Sequence, residues 1–570
     1  MPDERTKRGQ PRGADELVFV ALGGLGEIGM NAYLYGYGPP DARRWLMVDL
    51  GITFPEGEDD PGVDVIFPDL RFIEEEKSTL AGIVITHAHE DHIGAVIEMW
   101  PRLGVPVYAT PFTAGMLKAK LVEYNSRLAI PIREIPLNGR FNAGPFDVEL
   151  IEMSHSIPES SALAIRTPAG TVLHTGDWKL DRTPTIGGAP DEARLRALGD
   201  EGVLAVIGDS TNAMREGLSP SERDVSKSLT AIVKEAPHRV IVTTFASNVA
   251  RVKAVADAAR AAGRELVVAG RALHRVIEVA IDTGYLPEGF RYVDQQQFDE
   301  LKRSNVVCLC TGSQGEPRAA MARIAENEHP DVSLAKGDLA IFSSRTIPGN
   351  EKAVGWIQNN LVRMGVDVIT DGEALVHVTG HPRRDELRQL YAWTRPRIAV
   401  PMHGEARHLK AHAELARECG VPEVQVVYNG EMVRLSPGAV RIVDDAPVGR
   451  LFRDGRLIVQ SGEGPVRERR KLAMAGIIVV ALALSRRGEL MSEPQIAMDG
   501  IPPADDAGEP MLEIALSAVE GTLRSIPRDR RRDIDMVGEA VRRAVRGGVA
   551  SAWGKKPIVK VLVSVIEGKG

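Results

Sequence analysis

Three histidines and one aspartate stand within six residues in the first fifth of the chain. The stretch reads Thr86-His87-Ala88-His89-Glu90-Asp91-His92 and follows the apolar run from Leu80 to Ile85. Side chains of this kind at the mouth of a strand make a poor hydrophobic core and a good metal site. A strand that turns into a helix lets His87 and His89 point one way while Asp91 and His92 point another. The stretch therefore predicts two neighbouring metal ions served by one short segment.

Other interpretations of this stretch are weaker. A single histidine is usually a surface or hydrogen-bonded residue, but four ligand-type side chains at this spacing argue against that interpretation. An HExxH zinc helix is excluded, because His89 and His92 are only three residues apart and no second histidine occupies the fourth position. The arrangement resembles the HxHxDH signature of the metallo-β-lactamase superfamily.

Length and hydropathy set the class of protein. A chain of 570 residues exceeds what one hydrophobic core supports, so we expect two to four domains. No apolar run reaches the ~18 residues that would indicate a membrane span. The longest candidate, Leu472 to Leu484, is too short and is interpreted as a buried strand.

The cysteines and the N-terminal residues predict a cytoplasmic protein. Residues 1–16 are polar, carry both charge signs and lack the apolar core of a signal peptide. Cys308, Cys310 and Cys419 form no CxxC pair and no disulfide framework, and we expect all three to be small buried residues in a reducing compartment. The net charge of -8 gives no support to a protein that coats nucleic acid indiscriminately, but two bound cations would supply a local positive field of their own.

A glycine-rich loop near the N-terminus imitates a dinucleotide-binding fingerprint. Gly24, Gly26 and Gly29 satisfy GxGxxG, and Asp49 lies twenty residues after the last glycine. A helix should follow such a loop, yet residues 31–40 are strand-like and then broken by glycine and proline. We therefore predict a β-hairpin whose returning strand ends at Asp49, where its carboxylate can reach the metal cluster.

Ligand-type residues recur after other strands. His155 follows the strand Val148 to Ile151, and Asp177 follows Val172 to His174. His174 itself is expected to pack or hydrogen-bond, since Asp177 already fills the ligand position. Further on, Gly380 and Pro382 make a helix at His381 unlikely to form, so His377 and His381 are assigned to a loop. His403 follows the next strand, whereas His408 and His412 are expected to be surface residues of a helix.

The chain between about Arg215 and Thr370 changes in character. Helices and strands alternate there, which predicts a parallel sheet in a block of about 155 residues, itself the size of a domain. Because metal-site residues return at His377, this block is interpreted as an insertion.

The C-terminal part follows a polar, glycine-rich stretch, residues 444–465, which suits a linker. Beyond it we predict a small α+β domain with strands Lys471 to Leu484 and Ile558 to Ile566 and helices Met511 to Ile526 and Ile534 to Arg546. In the second helix one apolar stripe is expected, formed by Ile534, Val537, Val541 and Ala544.

An ordered set of loop motifs extends the resemblance. The sequence contains Gly208-Asp209-Ser210-Thr211-Asn212, Phe245-Ala246-Ser247-Asn248, Thr311-Gly312-Ser313-Gln314-Gly315 and Phe342-Ser343-Ser344-Arg345. With HAHEDH before them and VHVTGH and PMHGE after them, they resemble the β-CASP branch of the superfamily and, within it, the bacterial ribonuclease J family. The resemblance covers nearly the whole chain.

This resemblance implies an α/β fold: a metallo-β-lactamase αββα sandwich with an inserted α/β β-CASP domain and a small α+β C-terminal domain. The implied boundaries are a polar tail 1–16, a metallo-β-lactamase domain formed by 17–214 and 371–443, a β-CASP domain 215–370, a linker 444–465 and a C-terminal domain 466–570.

The resemblance also implies roles for residues. One metal would be held by His87, His89 and His155, the other by Asp91, His92 and His403, with Asp177 bridging them. Asp49 would buttress the ligands, Asp209 would orient His381, and His381 would act as the general acid. A pocket for a 5′-monophosphate would use Ser247, Asn248, Ser343, Ser344 and His377. Pro382 and Arg383 stand where small residues are more common, and Arg383 or Arg384 would add charge to this pocket.

The implied activity is metal-dependent hydrolysis of RNA phosphodiester bonds, leaving 5′-phosphate and 3′-hydroxyl ends, with both 5′→3′ exonuclease and endonuclease action in RNA processing and decay. The implied cofactors are two divalent ions, with Zn²⁺ preferred to Mn²⁺ or Mg²⁺. The partners would be 5′-monophosphorylated single-stranded RNA and further copies of the chain in a homodimer or homotetramer, with no membrane contact.

Two other functions stay open from the sequence. HxHxDH alone also fits a hydrolase of small esters, thioesters or lactams, but such substrates need no inserted domain. A non-catalytic RNA-binding or scaffold protein is the third class, against which the complete set of seven ligands argues.

Overall fold

The structure is a computed structural model and describes residues 14–55, 60–347, 349–462 and 464–566. Most of the predicted N-terminal tail, residues 1–13, therefore lies outside the described residues. The described chain divides into two compact units. One contains the residues up to 54 and from 66 to 450, and the other contains residues from 55 to 65 and from 451 onward.

The first unit contains an eight-stranded sheet built around the predicted hairpin. Its strands, in spatial order, are Arg441–Asp445, Glu431–Ser436, Glu16–Gly23, Ala32–Gly38, Arg44–Val48, Leu80–Val84, Val107–Ala109 and Ile132–Glu134. Tyr35 pairs with Leu46 across the antiparallel hairpin, which confirms the hairpin and excludes a dinucleotide-binding helix at this point. The associated helices are Arg71–Glu75, Lys77–Thr79 (3-10), Glu90–Ile93, Val96–Leu103 and Pro111–Glu123, and a short strand spans Val65–Pro68.

A seven-stranded sheet packs against the first. Its strands, in order, are Glu423–Val424, Ile398–Met402, Ala205–Asp209, Gly170–His174, Ser161–Thr167, Phe146–Glu152 and Arg140–Ala143. Phe19 and Tyr35 of the first sheet share one buried cluster with Val148 and Leu163 of the second. The outer face of the second sheet is covered by helices Glu192–Glu201, Arg384–Thr394 and Ala406–Glu418. These layers form the predicted αββα sandwich.

The inserted block is a six-stranded parallel sheet, as predicted from its alternating pattern. Its strands, in order, are Val293–Asp294, Glu265–Ala269, Val306–Cys310, Val240–Thr243, Leu339–Phe342 and Asp367–Ile369. Its helices are Glu222–Glu235, Val249–Ala261, Arg271–Asp282, Ala320–Ala325 and Glu351–Arg363, with 3-10 turns Gln295–Glu300 and Arg303–Asn305. Cys308 and Cys310 lie in its core, but Cys419 is partly exposed, so its predicted burial is wrong.

The second unit contains a three-stranded sheet, in the order Gln495–Asp499, Ile477–Ser485, Ile558–Ile566, and helices Pro465–Ala475, Met511–Ser525 and Ile534–Trp553. The α+β prediction is confirmed, but the first strand was placed too early. Residues 465–475 are helical because Pro465 opens the helix and Gly476 (φ 61°) ends it. The strand that follows buries only one face.

Two further expectations for the C-terminal part need correction. The helix that begins at Ile534 is longer than predicted and ends at Trp553. Its buried stripe consists of Val537, Val541, Val545 and Val549, and Ile534 and Ala544 do not belong to it. The stretch 444–465, predicted as a linker, contains an antiparallel hairpin of strands Arg450–Asp454 and Leu457–Gln460, with Gly455 in its turn. In the part of the chain that the structure describes, no helix is long and apolar enough to cross a membrane.

Candidate metal centre

The predicted ligands converge where strands of both sheets end. The structure brings together three groups of atoms, each within 4.8 Å, and Asp177 belongs to all of them. The groups are His87, His89, His155 and Asp177; Asp91, His92, Asp177 and His403; and Asp177, Asp209, His381 and His403. The first two coincide with the ligand sets that the sequence analysis assigned to two metals.

The first group is a cluster of neutral imidazoles. His89 Nδ1 lies 3.0 Å from His87 Nε2 and 3.0 Å from His155 Nε2. Burial lowers the pKa of His87 and His155 well below the usual range and that of His89 to about 4. Neutral imidazole is the form that binds a metal ion, so this group is prepared to hold one.

The second group combines imidazoles with carboxylates. His403 lies 3.3 Å from both Asp91 Oδ2 (through Nε2) and Asp177 Oδ1 (through Nδ1), and His92 Nε2 lies 3.3 Å from Asp177 Oδ2. Burial alone would lower the pKa of His403, but Asp177 and its neighbouring carboxylates raise it to about 10. The carboxylates therefore stabilise positive charge at this position, and either protons or a divalent cation can supply it.

Asp177 provides the test of whether metal ions fit. Its Oδ1 atom is buried and accepts no hydrogen bond, although His403 Nδ1 lies 3.3 Å away, and a buried carboxylate oxygen without a hydrogen bond is costly. Coordination to a cation removes that cost. With five imidazoles around it, the donor set is the nitrogen and oxygen mixture that Zn²⁺ and Mn²⁺ accept. The residues present therefore fit two divalent ions that share Asp177.

Asp49 supports His92 from behind. This residue ends strand Arg44–Val48 with a left-handed backbone (φ 61°), and its Oδ2 atom accepts from His92 Nδ1 at 2.7 Å. Its Oδ1 atom accepts from Thr86 N at 2.8 Å. The imidazole of His92 is therefore fixed with Nε2 directed at the ligand group.

His381 stands beside this centre on a loop, as predicted. Its Nδ1 donates to Asp209 Oδ2 at 2.8 Å, while Asp209 is fully buried and also accepts from Thr211 N. Burial alone would lower the pKa of His381, but the Asp209 carboxylate raises it. Its side chain keeps 22% of its surface exposed, so the ring can meet a substrate.

The five residues assigned to a phosphate pocket differ in exposure and in whether their side chains already have hydrogen-bond partners. Ser343 is fully buried, donates to Val376 O at 2.7 Å and accepts from the buried Arg251 guanidinium. Asn248 caps helix Val249–Ala261 by accepting from Arg251 N. Ser247 and His377 are partly exposed, and His377 Nδ1 has no hydrogen-bond partner. Ser344 accepts only a long 3.4 Å bond from Gln314.

Arg384, one of the two arginines considered for this pocket, already has ion-pair partners. It forms ion pairs with Glu216 and Glu418. Arg383 Nε, by contrast, is buried without a partner. Arg383, which stands where small residues are more common, therefore has a guanidinium group available to an anion.

Sequence reasoning missed three residues that hold the HAHEDH segment directly or through a neighbour. Asn31 is fully buried, and its Nδ2 donates to Asp91 O at 3.0 Å and Asp91 Oδ2 at 3.3 Å. Tyr33 in turn donates to Asn31 Oδ1 at 2.7 Å. Lys120, buried on helix Pro111–Glu123, forms an ion pair with Glu90. The signal for Asn31 was its position directly after the glycine loop.

That glycine loop has a packing role. A β-carbon at Gly24 would lie 2.4 Å from Tyr33 Oη and 2.5 Å from Asn31 Oδ1, so only glycine fits. The next residues, Leu25–Gly26, pair with Gly404–Glu405 immediately after His403. The loop therefore packs against the segments that carry Asp91 and His403.

The two histidines of helix Ala406–Glu418 are not surface residues, contrary to expectation. His412 is fully buried between Ser210 Oγ (2.9 Å) and Tyr391 Oη (2.8 Å), and His408 is also buried. This face of the helix covers the second sheet, and hydrogen bonds satisfy the buried ring of His412. The expectation for His174 is confirmed, since it is buried with Nδ1 2.9 Å from Tyr35 Oη.

Comparisons with known protein families match four successive parts of the chain. Family models match residues 26–202 (metallo-beta-lactamase superfamily), 237–361 (ribonuclease J, beta-CASP domain), 365–427 (Zn-dependent metallo-hydrolase RNA specificity domain) and 464–566 (ribonuclease J C-terminal domain). A ribonuclease J of Sinorhizobium meliloti is 53% identical over 97% of this chain and 98% of its own length. The chain belongs to the ribonuclease J family.

More distant members of the ribonuclease J family align just as completely. A ribonuclease J of Thermus thermophilus is 34% identical over 97% of this chain and 96% of its own length. Among solved structures, a protein of unknown function from Enterococcus faecalis matches with a TM-score of 0.51 and 16% identity, over 74% of this chain and all of that one. That likeness concerns the fold alone.

Proposed function

We propose that the protein is a two-metal ribonuclease that hydrolyses RNA phosphodiester bonds and leaves 5′-phosphate and 3′-hydroxyl ends. The observation that supports this proposal is the convergence of two groups of His and Asp residues on Asp177, whose buried Oδ1 accepts no hydrogen bond. His87, His89 and His155 would hold one ion and Asp91, His92 and His403 the other. Zn²⁺ is the first choice, with Mn²⁺ and Mg²⁺ as alternatives.

Two divalent ions held by these residues would lower the pKa of water and neutralise the charge that builds on a phosphate under attack. The chain supplies the remaining requirements. Asp49 fixes the ring of His92. His381, kept protonated by Asp209, is placed to give a proton to the leaving ribose oxygen. Proton donation there completes cleavage without a strongly basic leaving group.

Recognition of the 5′ end is assigned to four groups of the predicted pocket, of which Ser344 is buried and the other three are partly exposed. Ser247, Ser344, His377 and Arg383 offer hydroxyl, imidazole and guanidinium donors to a terminal phosphate. Ser343 and Asn248 would shape the pocket through Arg251. We propose 5′→3′ exonuclease action from a monophosphorylated end together with endonuclease action, in a cytoplasmic homodimer or homotetramer.

One end-labelled RNA tests the proposal. It is offered with a 5′-monophosphate or a 5′-triphosphate, with and without a chelator. We expect metal-dependent cleavage, faster from the monophosphate, with products that carry 5′-phosphate ends. In the same assay Asp91→Ala protein should be folded and inactive, because the strands around the site have their own core. Undiminished cleavage by metal-depleted Asp91→Ala protein would exclude the ligand assignment.

Two alternatives are tested by the same preparation. A hydrolase of small esters or lactams would turn over a chromogenic ester or nitrocefin and leave RNA intact. A non-catalytic RNA-binding protein would retain RNA on a filter without cleaving it in any divalent metal. The buried Asp177 and Asp209 carboxylates around His381 favour the ribonuclease over a scaffold, since a proton donor has no use there. The inserted domain with its six-stranded sheet favours it over a hydrolase of small substrates, which need no such domain.

A further inference from the structure

Charge is distributed unevenly along the chain. Residues 466–570 contain 18 Lys and Arg against 14 Asp and Glu, a net charge of +4, whereas the whole chain carries -8. Residues 1–465 therefore carry -12. The basic C-terminal part can attract a polyanion to its surface even though the whole chain is acidic.

Two turns of this part contribute four exposed arginines to one surface, which we call the arginine patch: Arg487, Arg528, Arg530 and Arg532. The first turn follows strand Ile477–Ser485, and the second joins helices Met511–Ser525 and Ile534–Trp553. The turns touch, because a β-carbon at Gly488 would lie 2.5 Å from Cβ of Arg531.

The acidic groups nearby do not neutralise this patch. In the described part of the chain, the side chains of Arg487, Arg530 and Arg532 are exposed and have no ion pair. Arg528 is 81% exposed and lies 4.0 Å from Glu489, the limit of an ion pair. The Asp533 carboxylate is occupied in capping the next helix, where it accepts from Met536 N.

Another group of arginines in the same unit shows the contrast. Arg542 and Arg543, on helix Ile534–Trp553, both donate to Glu539 at 2.6 to 2.7 Å. Their charge is therefore matched locally, as is usual for arginines on an exposed helix. Arg487, Arg530 and Arg532 have no such partner among the described residues, so their guanidinium groups are open to an external anion.

We propose that the arginine patch binds the phosphate backbone of RNA, independently of sequence, as a second contact for long substrates. This inference rests on the proposed function for the identity of the polyanion. A guanidinium group binds a phosphate through two parallel N–H bonds, and adjacent turns present several such groups to successive phosphates. The arginine patch would add affinity for RNA without taking part in the chemistry.

The test compares two triple variants of the full chain. R487Q/R530Q/R532Q removes three charges from the arginine patch, and R542Q/R543Q/R546Q removes three from helix Ile534–Trp553. Binding is measured in an Asp91→Ala background with single-stranded RNAs of about 40 and about 8 nucleotides that share one 5′-monophosphorylated sequence. Turnover of both RNAs is measured in the active protein.

For the patch variant we expect the affinity for the long RNA at low salt to fall about 10-fold, and the slope of log K against log salt to become shallower by about 2, which corresponds to three lost phosphate contacts. KM for the long RNA should rise without a change in kcat. Turnover of the short RNA and the melting temperature should not change.

Three outcomes would overturn the inference: an unchanged salt slope, an equal loss in the helix variant, or a change in subunit number as the only effect. The last would mean that the arginine patch joins copies of the chain. If the parent protein cleaves neither RNA, the proposed function fails, while binding of the long RNA still reports on the arginine patch.

Discussion

At the scale of residues, Asp177 joins the two groups of candidate ligands. It lies 3.3 Å from His92 through Oδ2 and 3.3 Å from His403 through Oδ1, and 3.8 Å from His87 and His155. With two cations bound as proposed, this carboxylate would lie between them and lower their mutual repulsion. The arrangement accounts for why one short segment and three later residues can serve both ions.

His381→Ala should slow single-turnover RNA cleavage by about 10²- to 10⁴-fold while the metal content stays unchanged, because one positioned proton donor contributes on that scale. An RNA with sulfur in place of the leaving oxygen needs no protonation. The variant should recover much of its lost rate on that substrate. If it cleaves the sulfur-containing RNA as poorly as normal RNA, His381 positions the phosphate and donates no proton.

Asn31→Leu and Tyr33→Phe should weaken retention of one metal by about 10- to 100-fold, since the first removes the amide that donates to Asp91 and the second removes the hydroxyl that orients this amide. Metal content after dialysis against graded chelator measures this directly. Tyr35→Phe is the matched control, because it removes a hydroxyl two residues away whose partner is His174 and not a ligand. Equal metal loss in all three variants would indicate a general loosening of the strand.

At the scale of elements, helix Ala406–Glu418 connects the ligand loop to the second sheet. It begins three residues after His403 and is held to strand Ala205–Asp209 through His412 and Ser210. Tyr391 of helix Arg384–Thr394 binds the other side of the same ring. One buried imidazole therefore joins three elements that carry Asp209, His381 and His403 at their ends.

His412→Ala should lower the free energy of unfolding by about 2 kcal/mol, because it leaves the Ser210 and Tyr391 hydroxyls unpaired and opens a cavity. The denaturation midpoint of the full chain measures the change. Lys410→Ala on the exposed face of the same helix, where the side chain is 79% exposed, is the control and should shift stability by less than about 0.5 kcal/mol. Equal shifts in the two variants would contradict the bridging role.

At the scale of the whole molecule, the candidate metal ligands and the C-terminal helices and sheet lie in different units. The three groups of convergent His and Asp residues found among the described residues all lie in the first unit. The C-terminal helices and sheet have their own buried core, which includes Ile478, Val519 and Val541. This division is what a separate assembly or RNA-contact domain requires.

Deletion of residues 466–570 should reduce the number of subunits per particle, beyond the mass of the deleted residues. Light scattering coupled to size exclusion measures the mass. The arginine-patch variant is the control, since it changes charge while the C-terminal core stays intact. A truncated protein with an unchanged subunit number would place assembly in the first unit.

The sequence by itself determined the positions of the candidate ligands. His87, His155, Asp177 and His403 each lie within three residues of the end of an apolar strand, and the strand signal together with the polar residues after it is local information. The parallel sheet of the insertion was equally readable, because helices and strands alternate there at a regular length. The glycine loop was excluded from nucleotide binding by the strand that follows it.

Only the tertiary structure decided which side chains support that site. Asn31 meets Asp91 across 60 residues, and Ser210 meets His412 across 202, so no local pattern marks either pair. Periodicity on helix Ala406–Glu418 did not reveal the burial of His412, since histidine is polar in any sequence scale and its partners lie on other elements. Burial and hydrogen-bond partners are properties of packing between distant segments, whereas strands, turns and the ligands at their ends are set by neighbouring residues.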